Sequence, residues 1–244
     1  GYCFLRNLSA QKLFIFWGGA GSGKSTYLNV IKNLIGDENR SAISLANMTE
    51  NKYANSLMVN KFLNTIDEVD SSKHLKSEDT VKILSCGQDI FVERKYKEGF
   101  NTKIYATQIV ALNDPLHIED EALLDRLMII PFVNRYRNTD KQLNENNIYG
   151  FACSEDGKSY LFNKAMQGLK RLQNNNFKFS TVKEVEKTKK LFIHLDEVAA
   201  DDDDVAKFLE DLKINEENIV EIGNANEIAE MYRNWCIVNK KVFI

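Results

Sequence analysis

The chain of 244 residues sets 32 Lys and Arg against 35 Asp and Glu, a formal net charge of −3, and 43% of its side chains are hydrophobic. That is enough apolar material for one large domain or a domain with an appendage, and it argues against a wholly basic nucleic-acid binder, so any DNA or RNA contact must be a local patch. Cys3, Cys86, Cys153 and Cys236 lack metal-ligand spacing, and no apolar run approaches membrane-spanning length; a zinc site, a disulfide framework and a membrane partner are not expected, and a reducing, cytoplasmic setting is. Gly1 in place of Met, and a stop within β-prone Val242-Phe243-Ile244, read as the cut ends of something longer.

Tyr2-Cys3-Phe4-Leu5 reads as a helix end leading to a short apolar strand, Leu13-Phe14-Ile15-Phe16-Trp17. Gly18-Gly19-Ala20-Gly21-Ser22-Gly23-Lys24-Ser25 then matches G-x-x-x-x-G-K-[ST] at every specified position. Thr26 continues it, and Leu28, Ile31, Leu34 and Ile35 recur at helical spacing until Gly36 can end the helix. Strand, loop and helix are the context this phosphate-binding motif requires. The glycines let successive N–H groups face one anion, and the helix N-terminus adds positive potential. Lys24 is placed to neutralise the outer phosphates and the Ser25 hydroxyl to sit on Mg²⁺, so ATP and Mg²⁺ are the expected cofactors, held by residues 18–26.

Residues 41–45 alternate weakly as a strand, and residues near 50–58 are predicted helical. Residues 62–66 form a strand with a polar middle that runs into Asp67-Glu68. There Asp67 can hold Mg²⁺ through its water shell and Glu68 can polarise an attacking water; a solvated acidic pair at a strand end is the plain alternative. Ser77-Glu78-Asp79 caps a helix carrying Val81, Ile83 and Leu84. Two strands flank the loop Lys95-Tyr96-Lys97-Glu98-Gly99-Phe100-Asn101, which predicts a hairpin over about residues 88–106 with a basic tip.

Residues 109–112 are another buried strand, closed by Asn113-Asp114-Pro115, and residues 127–132 a further one preceded by Asp125-Arg126. The Asn113 amide can bridge the γ-phosphate and the attacking water, the alternative being an ordinary Asn turn. Arg126 fits an arginine finger, a group that stabilises transition-state charge, unless it merely pairs with Asp125 or Glu121. Strands separated by helical segments after a phosphate loop imply an α/β fold, a P-loop NTPase with a mainly parallel sheet and helices on both faces.

Beyond Tyr136 the chain turns helical. Phe162, Ala165, Met166, Leu169 and Leu172 form one stripe, and Thr181-x-x-Glu184 is a capping box. The run Asp201-Asp202-Asp203-Asp204 precedes Val205, Phe208, Leu209 and Leu212, and complements that helix's dipole rather than binding metal. A last helix carries Ile228, Met231, Tyr232 and Trp235. The expected organisation is an ATPase core over 1–137, a helical segment packing on it over 138–200, and the start of a helical, winged-helix-like region over 201–244.

In this order, the phosphate loop, Asp67-Glu68, the block from Lys82 through Cys86-Gly87-Gln88-Asp89-Ile90 to Arg94-x-Tyr96, Asn113-Asp114-Pro115 and Asp125-Arg126-Leu127 resemble the superfamily 3 helicases. The likeness is nearest to the helicase half of phage, plasmid and poxvirus-type primase-helicases and covers about residues 1–200, with a weaker echo around Tyr232-Arg233-Asn234-Trp235-Cys236. The resemblance implies an AAA+-like core from a viral or mobile-element replication protein that assembles as a homo-oligomeric ring, usually a hexamer, and translocates along single-stranded DNA. It places Lys24 and Ser25 on phosphate and Mg²⁺, makes Asp67 and Glu68 the acidic pair and Asn113 the sensor, and has Arg126 act in the neighbouring subunit. It also points Lys95 and Lys97 into a central channel.

Two departures stand out: Cys86 replaces the small Gly or Ser usual beside Gly87, and Asn64-Thr65 is unusually polar. Neither is expected to touch a charged role. The alternative function is an ATP-switched initiator or loader that binds nucleic acid without unwinding it; Glu68 together with Arg126 favours turnover. A small-molecule kinase would want an arginine-rich lid, and the sequence has none; Arg135 and Arg137, the nearest candidates, lie after a core strand.

Overall fold

The computed structural model describes residues 1–67, 78–114 and 120–180, together with 185, 188, 202–212, 228 and 231–236. Seven strands are described: β1 (Leu13–Trp17), β2 (Arg40–Ser41), β3 (Leu63–Ile66), β4 (Asp89–Arg94), β5 (Lys97–Lys103), β6 (Thr107–Leu112) and β7 (Leu127–Pro131). Five of them form one sheet in the order β2-β3-β6-β1-β7, parallel at every pairing. All of β3 and β6 and nearly all of β1 are buried at both odd and even positions, so both faces of the sheet are covered, as parallel sheets require. The chain leaves β1 through α1 (Lys24–Ile35) to β2 at the far edge, returns through β3 and β6, and ends beside β1 on β7. The order therefore reverses next to β1, and ligands of open α/β sheets bind at such a switch point, outside the carboxyl ends of the strands.

The stripe Leu28, Ile31 and Ile35 of α1 packs against Phe16, Leu63, Ile109 and Ala111, so burial of one amphipathic face fixes the helix that follows the glycine-rich loop. Two further helices, α5 (Glu145–Ala152) and α6 (Glu155–Asn174), begin at Asn144 and Ser154, whose side chains accept from Asn146 N and Gly157 N. Of the predicted α6 stripe, Leu169 and Leu172 are buried, whereas Phe162 lies half in solvent, edge-on to Phe4 at 5.2 Å.

Three local expectations are corrected. The strand expected over 41–45 is only two residues long, because the Asn64 side chain takes over the ladder: its amide accepts from Ile43 N at 2.8 Å and donates to Ile43 O at 3.0 Å. Ser44 then caps α2 (Leu45–Glu50), so residues near 50–58 form the end of that helix and a 3-10 turn, Ala54–Met58, rather than one helix. The hairpin is tighter than expected, since β4 and β5 are joined by Lys95 and Tyr96 alone and Lys97 already belongs to β5. The caps expected at Ser77 and at Thr181-x-x-Glu184, like Glu68, lie outside the described residues.

Two compact units divide the chain, Gly1–Lys189 and Lys190–Ile244. In the second, a helix over Asp202–Asp211 and a helical stretch at 231–236 share a small core of Phe208, Trp235 and Cys236, with Trp235 Nε1 donating to Asp211 Oδ2 at 2.8 Å. Among the described residues no helix is long and apolar enough to cross a membrane.

Candidate active site

The phosphate loop hangs between the end of β1 and the first turn of α1. Gly23, the residue before α1, sits at φ 91°, a left-handed conformation that a side chain would oppose. No acidic residue occupies the first turn of α1, which leaves its N-terminal potential available to an anion. Ser25 is exposed on that turn and Thr26 half-buried behind it. Lys24 is only 7% exposed. Its ammonium donates to Gly18 O, to Gly19 O at 3.0 Å, to Ser22 Oγ at 3.4 Å and to Asn113 Oδ1 at 2.9 Å. A buried ammonium is tolerated only with such acceptors, and these four hold it at the loop, where an anion would sit.

The bond to Asn113 bridges 89 positions of sequence and follows from strand order. Because β6 lies between β1 and β3, Asn113 at the end of β6 falls between the loop after β1 and Asp67 after β3. Asp67 is itself held by a lysine that sequence reasoning did not single out: Lys32 Nζ reaches Asp67 Oδ2 at 2.5 Å, with the lysine side chain 14% and the aspartate 48% exposed. Lys24, Leu28 and Lys32 are spaced four apart on α1, a stripe visible in the sequence but without a motif to mark its last member. Among the described residues no group of three His, Cys, Asp or Glu stands together to hold a metal ion. A site for Mg²⁺ on a nucleotide needs no such group: one hydroxyl and one carboxylate suffice when phosphate and water complete the octahedron, and Ser25 and Asp67 are donors of those kinds.

Arg126 lies elsewhere. Its carbonyl accepts from Leu13 N at 2.8 Å, and Leu13 pairs with Leu127, so Arg126 marks the N-terminal edge of the sheet. The length of β1 separates it from its own phosphate loop, ~16 Å for five residues at about 3.3 Å each. Its mount is specific. Arg126 Nε donates to Cys86 Sγ at 3.1 Å and an Nη to Ala122 O; Cys86 ends α3 (Glu78–Cys86) and Ala122 lies in α4 (Glu121–Leu124). Asp120 caps α4 through Leu123 N at 2.7 Å and pairs with Lys82 of α3 at 2.8 Å. The Lys82 ammonium, helped by the Leu123 N–H, holds the Asp120 carboxyl below the usual carboxylate range. The expectation that Cys86 touches no charged role is therefore corrected, since its sulfur is a direct partner of Arg126.

The hairpin β4–β5 forms its own two-stranded sheet and enters β6 at that strand's N-terminal end, the same edge as Arg126. Lys95 and Lys97 are exposed on either side of Tyr96, which is 93% exposed and has a φ of 62°. Lys95 Nζ lies 5.2 Å from that ring's centroid, and Arg94 stacks over Phe100 at 4.6 Å. The tip thus combines cations with an outward aromatic surface, the pairing of groups that single strands bind. Tyr96 was legible only as an aromatic between two lysines. Lys24, Asn113 and Asp67 gather at one edge of the sheet, while Arg126 and the hairpin belong to the other.

A family model described as "Family of unknown function (DUF5906)" matches residues 16–126, a span that contains the loop, Asp67, the hairpin, Asn113 and Arg126. No curated protein sequence matches the chain. Among solved structures, the apo NrS-1 C-terminal region (305–718) aligns at TM-score 0.54 and 20% identity over 94% of this chain and 54% of its own. The A-form apo structure of the NrS-1 C-terminal region aligns at TM-score 0.53 and 19% identity over 96% and 58%. The X-ray structure of JCV helicase aligns at TM-score 0.40 and 16% identity over 99% and 59%, below the level that establishes a common fold. The chain spans about half the length of the NrS-1 region, with which it shares its fold.

Proposed function

We propose that this chain is the ATP-hydrolysing motor of a ring-forming, superfamily 3 type DNA helicase from a viral or mobile-element replication protein, translocating on single-stranded DNA. The observation that carries the proposal is the gathering of Lys24, Asn113 and Asp67 past the carboxyl ends of adjoining parallel strands, with Lys24 Nζ 2.9 Å from Asn113 Oδ1. Loop, acidic residue and polar sensor are the parts a triphosphatase needs at one place. The order of sequence motifs and the fold shared with the NrS-1 region support the same reading.

On this reading the loop N–H groups from Gly19 to Thr26 cradle the phosphates and Lys24 neutralises them. Mg²⁺, when bound, spreads the negative charge of the phosphates, with Ser25 and Asp67 as its protein partners. Asn113 orients a water in line with the γ-phosphorus. Glu68 takes the proton of that water as its oxygen attacks; the bond to the bridging oxygen breaks and ADP leaves with the electron pair. Arg126 enters the site of the next subunit, because its own site lies a strand length away. The hairpin tips, gathered by ring symmetry, supply the positive lining that a net charge of −3 per chain does not supply elsewhere.

ATP turnover stimulated by single-stranded DNA, coupled to separation of a forked duplex, is the expected result, with both lost in Lys24→Ala. ATP-dependent DNA binding without strand separation would instead favour the initiator or loader. Absence of ATP binding would overturn both.

A further inference from the structure

The segment that follows β7 does not leave the sheet but crosses the phosphate loop. Phe132 N donates to Trp17 O at 2.7 Å, and Tyr136 N and Arg137 N both donate to Gly21 O, at 3.0 and 3.3 Å. The approach is close enough to require glycine beneath it: a Cβ on Gly21 would lie 2.6 Å from Arg137 Cβ, with Arg137 Cγ and Cδ each at 3.6 Å. The aliphatic stem of Arg137 thus lies along the middle of the loop, and the Tyr136 ring reaches to 4.0 Å from where a Cβ on Gly23 would stand. Arg137 is exposed, and its guanidinium makes no ion pair or side-chain hydrogen bond to any described residue. A cation whose stem rests on an anion cradle, and which no protein acceptor engages among the described residues, is set up for an anionic ligand.

We infer that Arg137 is a phosphate-binding residue of the nucleotide site, acting within its own subunit on the polyphosphate held by the loop. The inference rests on the reading of that loop as an ATP site. Besides Lys24, it gives the site two arginines of different origin, Arg137 from the same chain and Arg126 from a neighbour. Because the N–H groups of residues 136 and 137 make the clasp, removal of the Arg137 side chain leaves the strap in place. A purely structural role for Arg137 therefore predicts no loss of nucleotide affinity.

The test is calorimetric titration of the full chain with ATP, ADP and AMP, at a concentration verified as monomeric, for wild type, Arg137→Ala, Arg137→Gln and Lys24→Ala. Loss of one charge-assisted contact predicts that ATP affinity falls about ten- to a hundredfold in both Arg137 variants. AMP binding should change little in either Arg137 variant. An unchanged thermal midpoint would show that the fold survives, and Arg137→Gln keeps the stem on Gly21 should the alanine variant lose the strap. Wild-type ATP affinity in both Arg137 variants would overturn the inference while Lys24→Ala still abolished binding. If the wild type bound no ATP, or Lys24→Ala bound it normally, the nucleotide site itself would be refuted.

Discussion

Lys24 and Asn64 show how single side chains divide between chemistry and architecture. Lys24 is buried and bonded to Gly18 O, Gly19 O and Asn113 Oδ1, and its removal deletes the point charge that phosphates on the loop would meet. Lys24→Ala is expected to abolish ATP binding or turnover with circular dichroism unchanged, and normal turnover in a preparation free of contaminating ATPase would refute the loop's role. Glu68→Gln should behave differently, since an amide keeps the shape but cannot accept a proton: ATP should bind and kcat collapse. Asn64 is the opposite case. Fully buried, it bonds Ser41 Oγ at 2.8 Å, both polar groups of Ile43, and Gln108 Oε1 at 2.9 Å, all neutral partners inside the sheet. Asn64→Ala would strand those partners and should cost about 3 kcal/mol, seen as a lower urea midpoint. A midpoint within error of wild type would show that the side-chain ladder contributes nothing.

Among the elements, the hairpin carries the sharpest separation of stability from binding. Tyr96 holds a left-handed φ that Asn or Gly adopts more readily, so Tyr96→Asn should leave the thermal midpoint unchanged or raised. The same change should weaken binding of single-stranded DNA, because a stacking surface worth about 1–3 kcal/mol per base is lost. Neutralising Lys95 and Lys97 together should weaken affinity alike for all sequences and lower the log–log salt slope by roughly one to two, with basal ATP hydrolysis retained. Unchanged affinity and salt slope in both sets would return the tip to an ordinary solvated turn. The elements also show which signals a sequence carries. β1, α1 and residues 109–112 of β6 were readable because each is bounded by a motif or by Gly and shows a continuous or helically spaced apolar set, whereas buried Thr107 and Gln108, which begin β6, carry no such signal. The ladder beyond β2 was not, because a side-chain amide 21 positions away completes it. Lys32, Cys86 and Arg137 were missed as site residues for a related reason: each reaches its partner through strand order or a strap, and no local pattern encodes such distances.

At the scale of the whole molecule, the geometry divides the proposed catalytic set between two edges of one sheet. Lys24, Asn113 and Asp67 gather at the carboxyl ends of the strands, while Arg126 is mounted by Cys86 and Ala122 at the opposite edge. An arginine so placed serves hydrolysis only if a second copy brings its loop to it, so specific activity should rise with protein concentration and a dilute monomer should turn over slowly. Arg126→Ala should retain nucleotide affinity and lose kcat, since the finger acts mainly on transition-state charge. Cys86→Ala, which removes the Nε acceptor but no charge, should lower kcat in the same direction and by less, with ATP affinity unchanged. Mixing inactive Arg126→Ala with inactive Glu68→Gln subunits provides the decisive measurement, because some interfaces then pair an intact Glu68 with an intact Arg126. Partial recovery is expected, following the fraction of such interfaces as the mixing ratio is varied. Negligible recovery in oligomers shown to be mixed would place catalysis within one chain, and full activity from a verified monomer would refute the ring motor altogether.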